Sequence, residues 1–233
     1  MSLLDTPVVF VGCPLRNRQI TLNRYLDALY RLNYPRERIH LGFLVNNSTD
    51  QTFITLQRFI SMVEHEYAGT HLLQWDLDES PTFDRLREGR SYLHYECLAK
   101  VRNRFLQMFS TTNADYLFSV DSDIIIHPDT LNRLLSHQKD IVAALVSNGS
   151  NVWNVMMWGS RGEADHLQQI PNVDLFRVDV TGACYLIHSR VIHAGVQYGF
   201  HRQGEDLAFC LEAQRRKFEI FCDPQVQPLH LLA

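Results

Sequence analysis

Two carboxylates one residue apart, Asp121 and Asp123, close the run Asp115-Tyr-Leu-Phe-Ser-Val-Asp121-Ser122-Asp123-Ile-Ile-Ile. The apolar residues before them read as a buried strand, so both acids are delivered to its carboxyl end. Two hard oxygen ligands there suit a divalent ion that bridges a diphosphate. Carboxylates this near a core need a partner or an ion to offset desolvation. A second acidic pair, Glu205-Asp206, follows Gly204 and opens a helix with Leu207, Ala208 and Leu211 on its apolar face. Acids in a first turn complement the helix dipole, which alone accounts for them. The same placement also fixes a carboxylate where it can take a proton from a hydroxyl.

Weaker signals accompany these. The turn Asn46-Asn47-Ser48-Thr49-Asp50-Gln51-Thr52 can cap a following helix through Ser48, Thr49 or Asp50, and needs no ligand to explain it. Lys100, Arg102 and Arg104 lie two apart on a helical segment, so they do not share a face, and a solvated basic surface is the simplest reading. His230 stands near the carboxyl end of the chain. Trp153, Met156, Met157 and Trp158 suit either a sugar-stacking surface or a core.

The elements that must position these groups alternate. Thr6 to Val11 reads as a strand closed by a turn at Gly12-Cys13-Pro14, then Leu22, Tyr25, Leu26 and Leu29 recur at helical spacing until Asn33-Tyr34-Pro35. Leu41 to Val45 repeats the strand, followed by a helix with Phe53, Leu56, Ile60 and Val63 on one face. A strand at His71 to Trp75 and a polar stretch from Asp76 to Arg90 lead to a long helix carrying Leu93, Leu98, Val101, Phe105 and Met108, then the strand Tyr116 to Val120. Ile141–Val146, Leu175–Val180 and Ala183–Ile187 read as further strands, and Glu205 to Lys217 as a last helix. Strands alternating with helices predict an α/β fold with a mainly parallel sheet covered on both faces, whose ligands gather at the carboxyl ends of its strands. No linker divides the chain, so residues 1–233 read as one domain, with a nucleotide-type half to about residue 123 and an elaborated half after it.

Composition narrows the classes. The 233 residues are 45% hydrophobic and 21% charged, which excludes disorder or coiled coil for the whole. A net charge of −4 without basic tracts argues against a nucleic-acid footprint. No apolar run approaches the roughly 18 residues of a membrane span. The five cysteines, Cys13, Cys97, Cys184, Cys210 and Cys222, are odd in number and form no Cys-x-x-Cys pair, so they read as buried free thiols. With no basic and apolar leader at the amino terminus, the expected location is cytoplasmic, and the sequons at Asn47 and Asn148 carry no weight.

The order of these signals, with Thr181-Gly182-Ala183 between the two acidic motifs, resembles the GT-A-fold glycosyltransferases, the family-2-like and Anp1-like enzymes that use nucleotide-activated sugars. The resemblance runs from Val8 to His230 and is most specific at Leu41–Thr52, Ala99–Arg104 and Tyr116–Asp123. It implies that the Cys13–Arg18 turn, through Pro14 and Arg16, and the Asn46–Asp50 turn, through Asn46, Asn47 and Asp50, hold the base and ribose of a nucleoside diphosphate sugar. It implies Arg102 at the diphosphate, with Asp121, Ser122 and Gly182 also at the donor, and Asp121, Asp123 and His230 around Mn²⁺ or Mg²⁺. Asp206 would be the base of an inverting reaction, beside Glu205. Asn46 and Asn47 stand where many family-2 members place an aspartate, which leaves the donor of UDP or GDP type.

Two rivals remain from the sequence. A sugar-phosphate nucleotidyltransferase usually has a glycine-rich loop after its first strand, whereas Gly12 is the single glycine between Gly12 and Arg18. A catalytically inactive sugar- or protein-binding module would not require the acids at Asp121, Asp123, Glu205 and Asp206. The acceptor is expected to be a hydroxyl of a saccharide, glycolipid or protein.

Overall fold

The computed structural model describes residues 6–78, 92–149, 152–160 and 163–231. Most of the polar stretch expected between Asp76 and Arg90 lies outside the described residues. The core of the molecule is an eight-stranded sheet in the order β3-β2-β1-β4-β10-β6-β11-β9. Its strands are β1 (Val9–Leu15), β2 (Ile39–Val45), β3 (Gly69–Gln74), β4 (Tyr116–Val120), β6 (Ile141–Ala144), β9 (Phe176–Val178), β10 (Cys184–His188) and β11 (Ile220–Asp223). β1 to β4 run parallel, β10 is antiparallel to both its neighbours, and β11 returns parallel to β6.

Alternate side chains of β1 face opposite sides of the sheet, as a pleated strand demands. Val9, Val11, Cys13 and Leu15 pack with Leu22, Tyr25 and Leu26 of α1 (Gln19–Tyr30) and Leu56 of α2 (Thr52–Val63). Phe10, from the other face, meets Phe105 and Phe109 of α3 (Tyr92–Ser110). The same second core takes Val191 of α5 (Ser189–His193) and Leu207, Phe209 and Cys210 of α6 (Glu205–Arg215), whereas α4 (Thr130–Ser136) packs Leu131 and Leu134 on the first. A strand covered on both sides can be apolar at every position, which is why the run in β1 does not alternate.

β1 does not stop at Gly12. It continues through Cys13 and Pro14 to Leu15, paired with β2 as far as Leu15 and Val45. Its other neighbour, β4, pairs only to Gly12 and Ser119, so the missing N–H of Pro14 falls where the strand has one partner. The turn is thereby moved on to Arg16, Asn17 and Arg18. Outside the main sheet, two antiparallel pairs form: β5 (Ile124–Ile125) with β12 (Leu229–His230), and β7 (Met156–Trp158) with β8 (Ala164–His166). The first of these brings the end of the chain beside Asp123, whose carbonyl accepts from Leu231 N at 2.8 Å. All five cysteines are buried and none is in a disulfide.

Candidate active site

A cleft of about 750 Å³ opens at the carboxyl ends of β1, β2 and β4, the place a parallel sheet reserves for ligands. Its wall includes Arg18, Arg102, Asp121, Asp123, Asp206 and His230. Asp121 follows the last residue of β4, and the position of that strand end is fixed from two sides. The Tyr25 hydroxyl of α1 donates to Val120 O at 2.9 Å, and Asp121 N donates to Ala183 O at 2.7 Å.

Arg102, on the face of α3 next to Val101, enters the cleft and is only 9% exposed. Its Nε lies 3.1 Å from Glu205 Oε1 and 3.7 Å from Asp206 Oδ1, and its Nη2 lies 3.5 Å from Asp121 Oδ1. Burial alone would lower the guanidinium pKa, but Asp206 and Asp121 outweigh it and hold the group charged. Burial pushes the Asp121 carboxyl up, and Asp123 adds to that against the pull of Arg102. Glu205 is 2% exposed, so its ion pair with Arg102 is the condition for its being buried at all.

Two glycines shape the acidic side. Gly204 precedes α6 with φ of 134°, a conformation open to glycine alone, and so sets the direction in which Glu205 and Asp206 leave the backbone. A Cβ at Gly182 would stand 2.5 Å from Asp206 Oδ2, so only glycine there lets the carboxylate lie against the strand-end loop.

Asp123 is 6% exposed and meets a second arginine, with Arg18 Nη1 3.2 Å from its Oδ2. His230 comes to it across the β5–β12 pair, its Nε2 3.9 Å from Asp123 Oδ1. The other ring nitrogen of His230, Nδ1, lies 3.2 Å from Ser147 O. A carbonyl only accepts, so Nδ1 is the donor of that contact, and Nε2 is the ring nitrogen that faces the carboxylate. That is the arrangement in which a backbone carbonyl orients a metal-ligating imidazole. Asp123 and His230 therefore fit a divalent ion. Asp121 points to Arg102 instead, and among the described residues no group of three or more His, Cys, Asp or Glu stands ready to hold a metal.

The structure thus brings together Pro14, Arg16, Asn46, Arg102, Asp121, Ser122, Asp123, Gly182, Glu205, Asp206 and His230 around one cleft. It does not bring Asn47 or Asp50 there. Asn47 faces away to the following segment: its Nδ2 donates to Leu77 O at 2.9 Å and its Oδ1 accepts from Leu77 N at 3.0 Å. Asp50 takes the backbone N–H of Gln19 at 2.9 Å and of Thr52 at 2.9 Å, and so caps α1 and α2 together. Those bonds outweigh burial and lower its pKa. Trp153 and Trp158 pack on the second core, not in the cleft, while their neighbour Met156 reaches it.

Three contributors had no distinctive sequence signal. Arg18 was one residue of a turn. Asn154, buried, bonds Val146 N, Ala144 O and Gly182 O, and ties the 181–183 loop to β6. Tyr25 showed only its apolar spacing.

The Anp1 family model matches residues 3–158. Procollagen galactosyltransferase 1-A of Xenopus laevis is 32% identical over 159 residues, which is 65% of this chain and 26% of the relative. Inactive glycosyltransferase 25 family member 3 of Homo sapiens is 29% identical over 154 residues, 63% of this chain and 25% of the relative. The chain spans about a quarter of the length of these curated relatives. The solved structure of mannosyltransferase PcManGT from Pyrobaculum calidifontis, in complex with GDP-Man and Mn²⁺, superposes with a TM-score of 0.66 at 13% identity, covering 98% of this chain and 58% of that one. The shared architecture is the GT-A fold.

Proposed function

This chain belongs to the Anp1 family, and from that premise we propose that it is a divalent-metal-dependent hexosyltransferase, moving a sugar from a UDP- or GDP-type donor to a hydroxyl acceptor. The observation that carries the reading is the charge balance of the cleft. Four carboxylates, Asp121, Asp123, Glu205 and Asp206, face three arginines, Arg16, Arg18 and Arg102. A nucleoside diphosphate brings further negative charge into a wall that is already acidic. It binds there only with a cation, and Asp123 with His230 is where Mn²⁺ or Mg²⁺ would be held. When bound, the ion neutralises charge developing on the leaving diphosphate.

The chain's own residues account for the rest. Arg102 holds Asp121, Glu205 and Asp206 in one geometry, as a preorganised site requires. Asp206, over Gly182, is the acid that faces the cleft from the acceptor side. It accepts the proton of the attacking hydroxyl as the bond to the anomeric carbon forms, which inverts that centre. Residues up to about 123 hold the donor and those beyond it the acceptor. The likeness to a procollagen galactosyltransferase favours a protein hydroxyl over a saccharide or glycolipid one. A relative named as inactive matches over a similar length and supports the second reading, a binding module without turnover.

Thermal stabilisation by a panel of nucleotide sugars, with and without Mn²⁺, tests the proposal. A UDP- or GDP-sugar should stabilise the protein with Mn²⁺ and lose that effect in excess EDTA. Equal stabilisation in EDTA defeats the metal-dependent reading. Metal-dependent binding with neither transfer nor slow donor hydrolysis selects the binding module.

A further inference from the structure

We propose that Arg18 is a cation switch: it neutralises Asp123 while the metal is away, and is released to the donor diphosphate when the metal arrives. The inference rests on the metal-dependent reading above. Its observation is the 3.2 Å pair between Arg18 Nη1 and Asp123 Oδ2, made by the same carboxylate that His230 Nε2 approaches at 3.9 Å from its other oxygen. A guanidinium and a divalent ion cannot both neutralise one carboxylate at that edge without repelling each other, so metal at Asp123 and His230 displaces Arg18.

The backbone around Arg18 determines where the displaced group goes. Arg18 N donates to Thr52 Oγ1 at 2.8 Å, and Asn17, with φ of 51°, donates its N–H to Ser48 Oγ at 3.0 Å while its Oδ1 accepts from Thr49 N at 2.8 Å. Arg18 is thereby pinned at the cleft edge through its main chain, and only the long side chain is left to swing. Its side chain is 26% exposed against 8% for Asp123, so the arginine is the partner with room to leave. A freed planar guanidinium beside a diphosphate binds two of its oxygens at once. Arg102 is unsuited to that duty because Glu205, Asp121 and Asp206 already surround it.

One consequence distinguishes this from a static ion pair. Metal alone must displace Arg18 and binds weakly. Nucleotide alone finds Arg18 occupied and also binds weakly. The two together relieve both costs, which is reciprocal coupling between the sites.

Calorimetric titration of the intact chain with Mn²⁺ alone, with UDP or GDP alone, and with each nucleotide at saturating Mn²⁺ measures it. In the parent, Mn²⁺ should tighten nucleotide binding strongly. Arg18→Gln should tighten Mn²⁺ alone by roughly two- to fivefold, the scale of a lost competing ion pair, and weaken nucleotide at saturating Mn²⁺ by roughly tenfold or more, the scale of a lost charged hydrogen bond. Arg24→Gln, on the exposed side of α1, should leave both affinities at the parent values and so exclude a net-charge effect. Unchanged or weaker Mn²⁺ binding in Arg18→Gln overturns the competition, and unchanged nucleotide affinity overturns the release. Failure of the parent to bind nucleotide with Mn²⁺ overturns the metal-dependent reading itself, whereas a responsive parent with a silent Arg18→Gln overturns the switch alone. A melting temperature of Arg18→Gln equal to the parent's shows that the variant is folded.

Discussion

Two polar clusters stand at strand ends of the same parallel sheet, and they do opposite things. In the turn after β2, Asp50 caps two helices, Asn47 holds the Leu77 main chain, and Ser48 and Thr49 close on Asn17. The side chains of Asn47, Ser48 and Asp50 all bond to main-chain groups of the protein. Around Arg102 and Arg18 the balance is reversed. Each of the four carboxylates lies within 3.7 Å of an arginine nitrogen, and a cleft lies open beside them. Hydrogen-bonding residues at a strand end are thus no mark of a site by themselves. A site is made where charge is gathered beyond what the backbone can satisfy and is left facing a cavity.

The largest expected difference between the clusters is in transfer. Asp206→Asn keeps the shape beside Gly182 but cannot take a proton, so turnover should fall roughly 10²–10⁴-fold while donor and metal affinity persist. Product analysis by NMR gives the second readout, an inverted anomeric centre. A rate within a few-fold of the parent, or retained configuration, removes Asp206 from the base role. Next in size is Asp123→Ala, which deletes the carboxylate shared by Arg18 and His230. Affinity for nucleoside diphosphate in Mn²⁺ should fall on the order of a hundredfold, the upper end of losses at metal-site residues. Calorimetry showing parent-like affinity would make the acidic cluster as self-contained as the turn after β2, and the contrast between them would be lost.

The local parts of this picture were legible in the sequence. Tyr116–Val120 is a strand with the expected bounds, and Leu22, Tyr25, Leu26 and Leu29 are the buried face of α1. Both follow from short-range periodicity that tertiary contacts only reinforce. What depended on distant partners was not legible. Arg102 reads as part of a solvated basic face because the acid it pairs with, Glu205, is 103 residues away. The extension of β1 through Pro14 required knowing that its pairing with β4 stops at Gly12 while its pairing with β2 runs on to Leu15. Strands as short as Ile124–Ile125 and Leu229–His230 have no period to detect, yet their pairing is what carries His230 to Asp123. The polarity of the 46–50 turn suggested both capping and donor binding, and only the placement of Leu77 and Gln19 separated Asn47 and Asp50 from Asn46.

The turn after β2 should fail in stability, not in binding. Asp50→Ala removes an acceptor from the first turns of α1 and α2, at a cost of about 1–2 kcal/mol, the usual range for a helix cap. Nucleotide affinity at saturating Mn²⁺ should stay at the parent value. The pH dependence has a definite sign. The hydrogen bonds of Asp50 lower its folded pKa below the ordinary 3.8, so its contribution is fully present above that value and is lost as the pH falls through the folded one. Denaturant melts of parent and Asp50→Ala should therefore differ at neutral pH and converge in acid. A difference that grows on acidification contradicts the capping role.

The smallest effect, and the finest test of the contrast, is at Asn46 and Asn47. Both aspartate and asparagine tolerate the left-handed backbone that Asn47 adopts, with φ of 46°, so Asn47→Asp leaves the turn in place. The variant loses the bond donated to Leu77 O and sets a carboxylate beside Asp76, whose Oδ1 already accepts from residue 47 N at 2.5 Å. Stability should drop by about 1 kcal/mol, one hydrogen bond's worth. The ratio of UDP to GDP affinities should not move, because the side chain is turned away from the cleft. Asn46, which lines the cleft and is 9% exposed, is the position where the same exchange should shift that ratio. Should Asn47→Asp change base preference more than Asn46→Asp does, the turn reads the nucleotide after all, and the division between a self-satisfied cluster and an open one fails at its closest point.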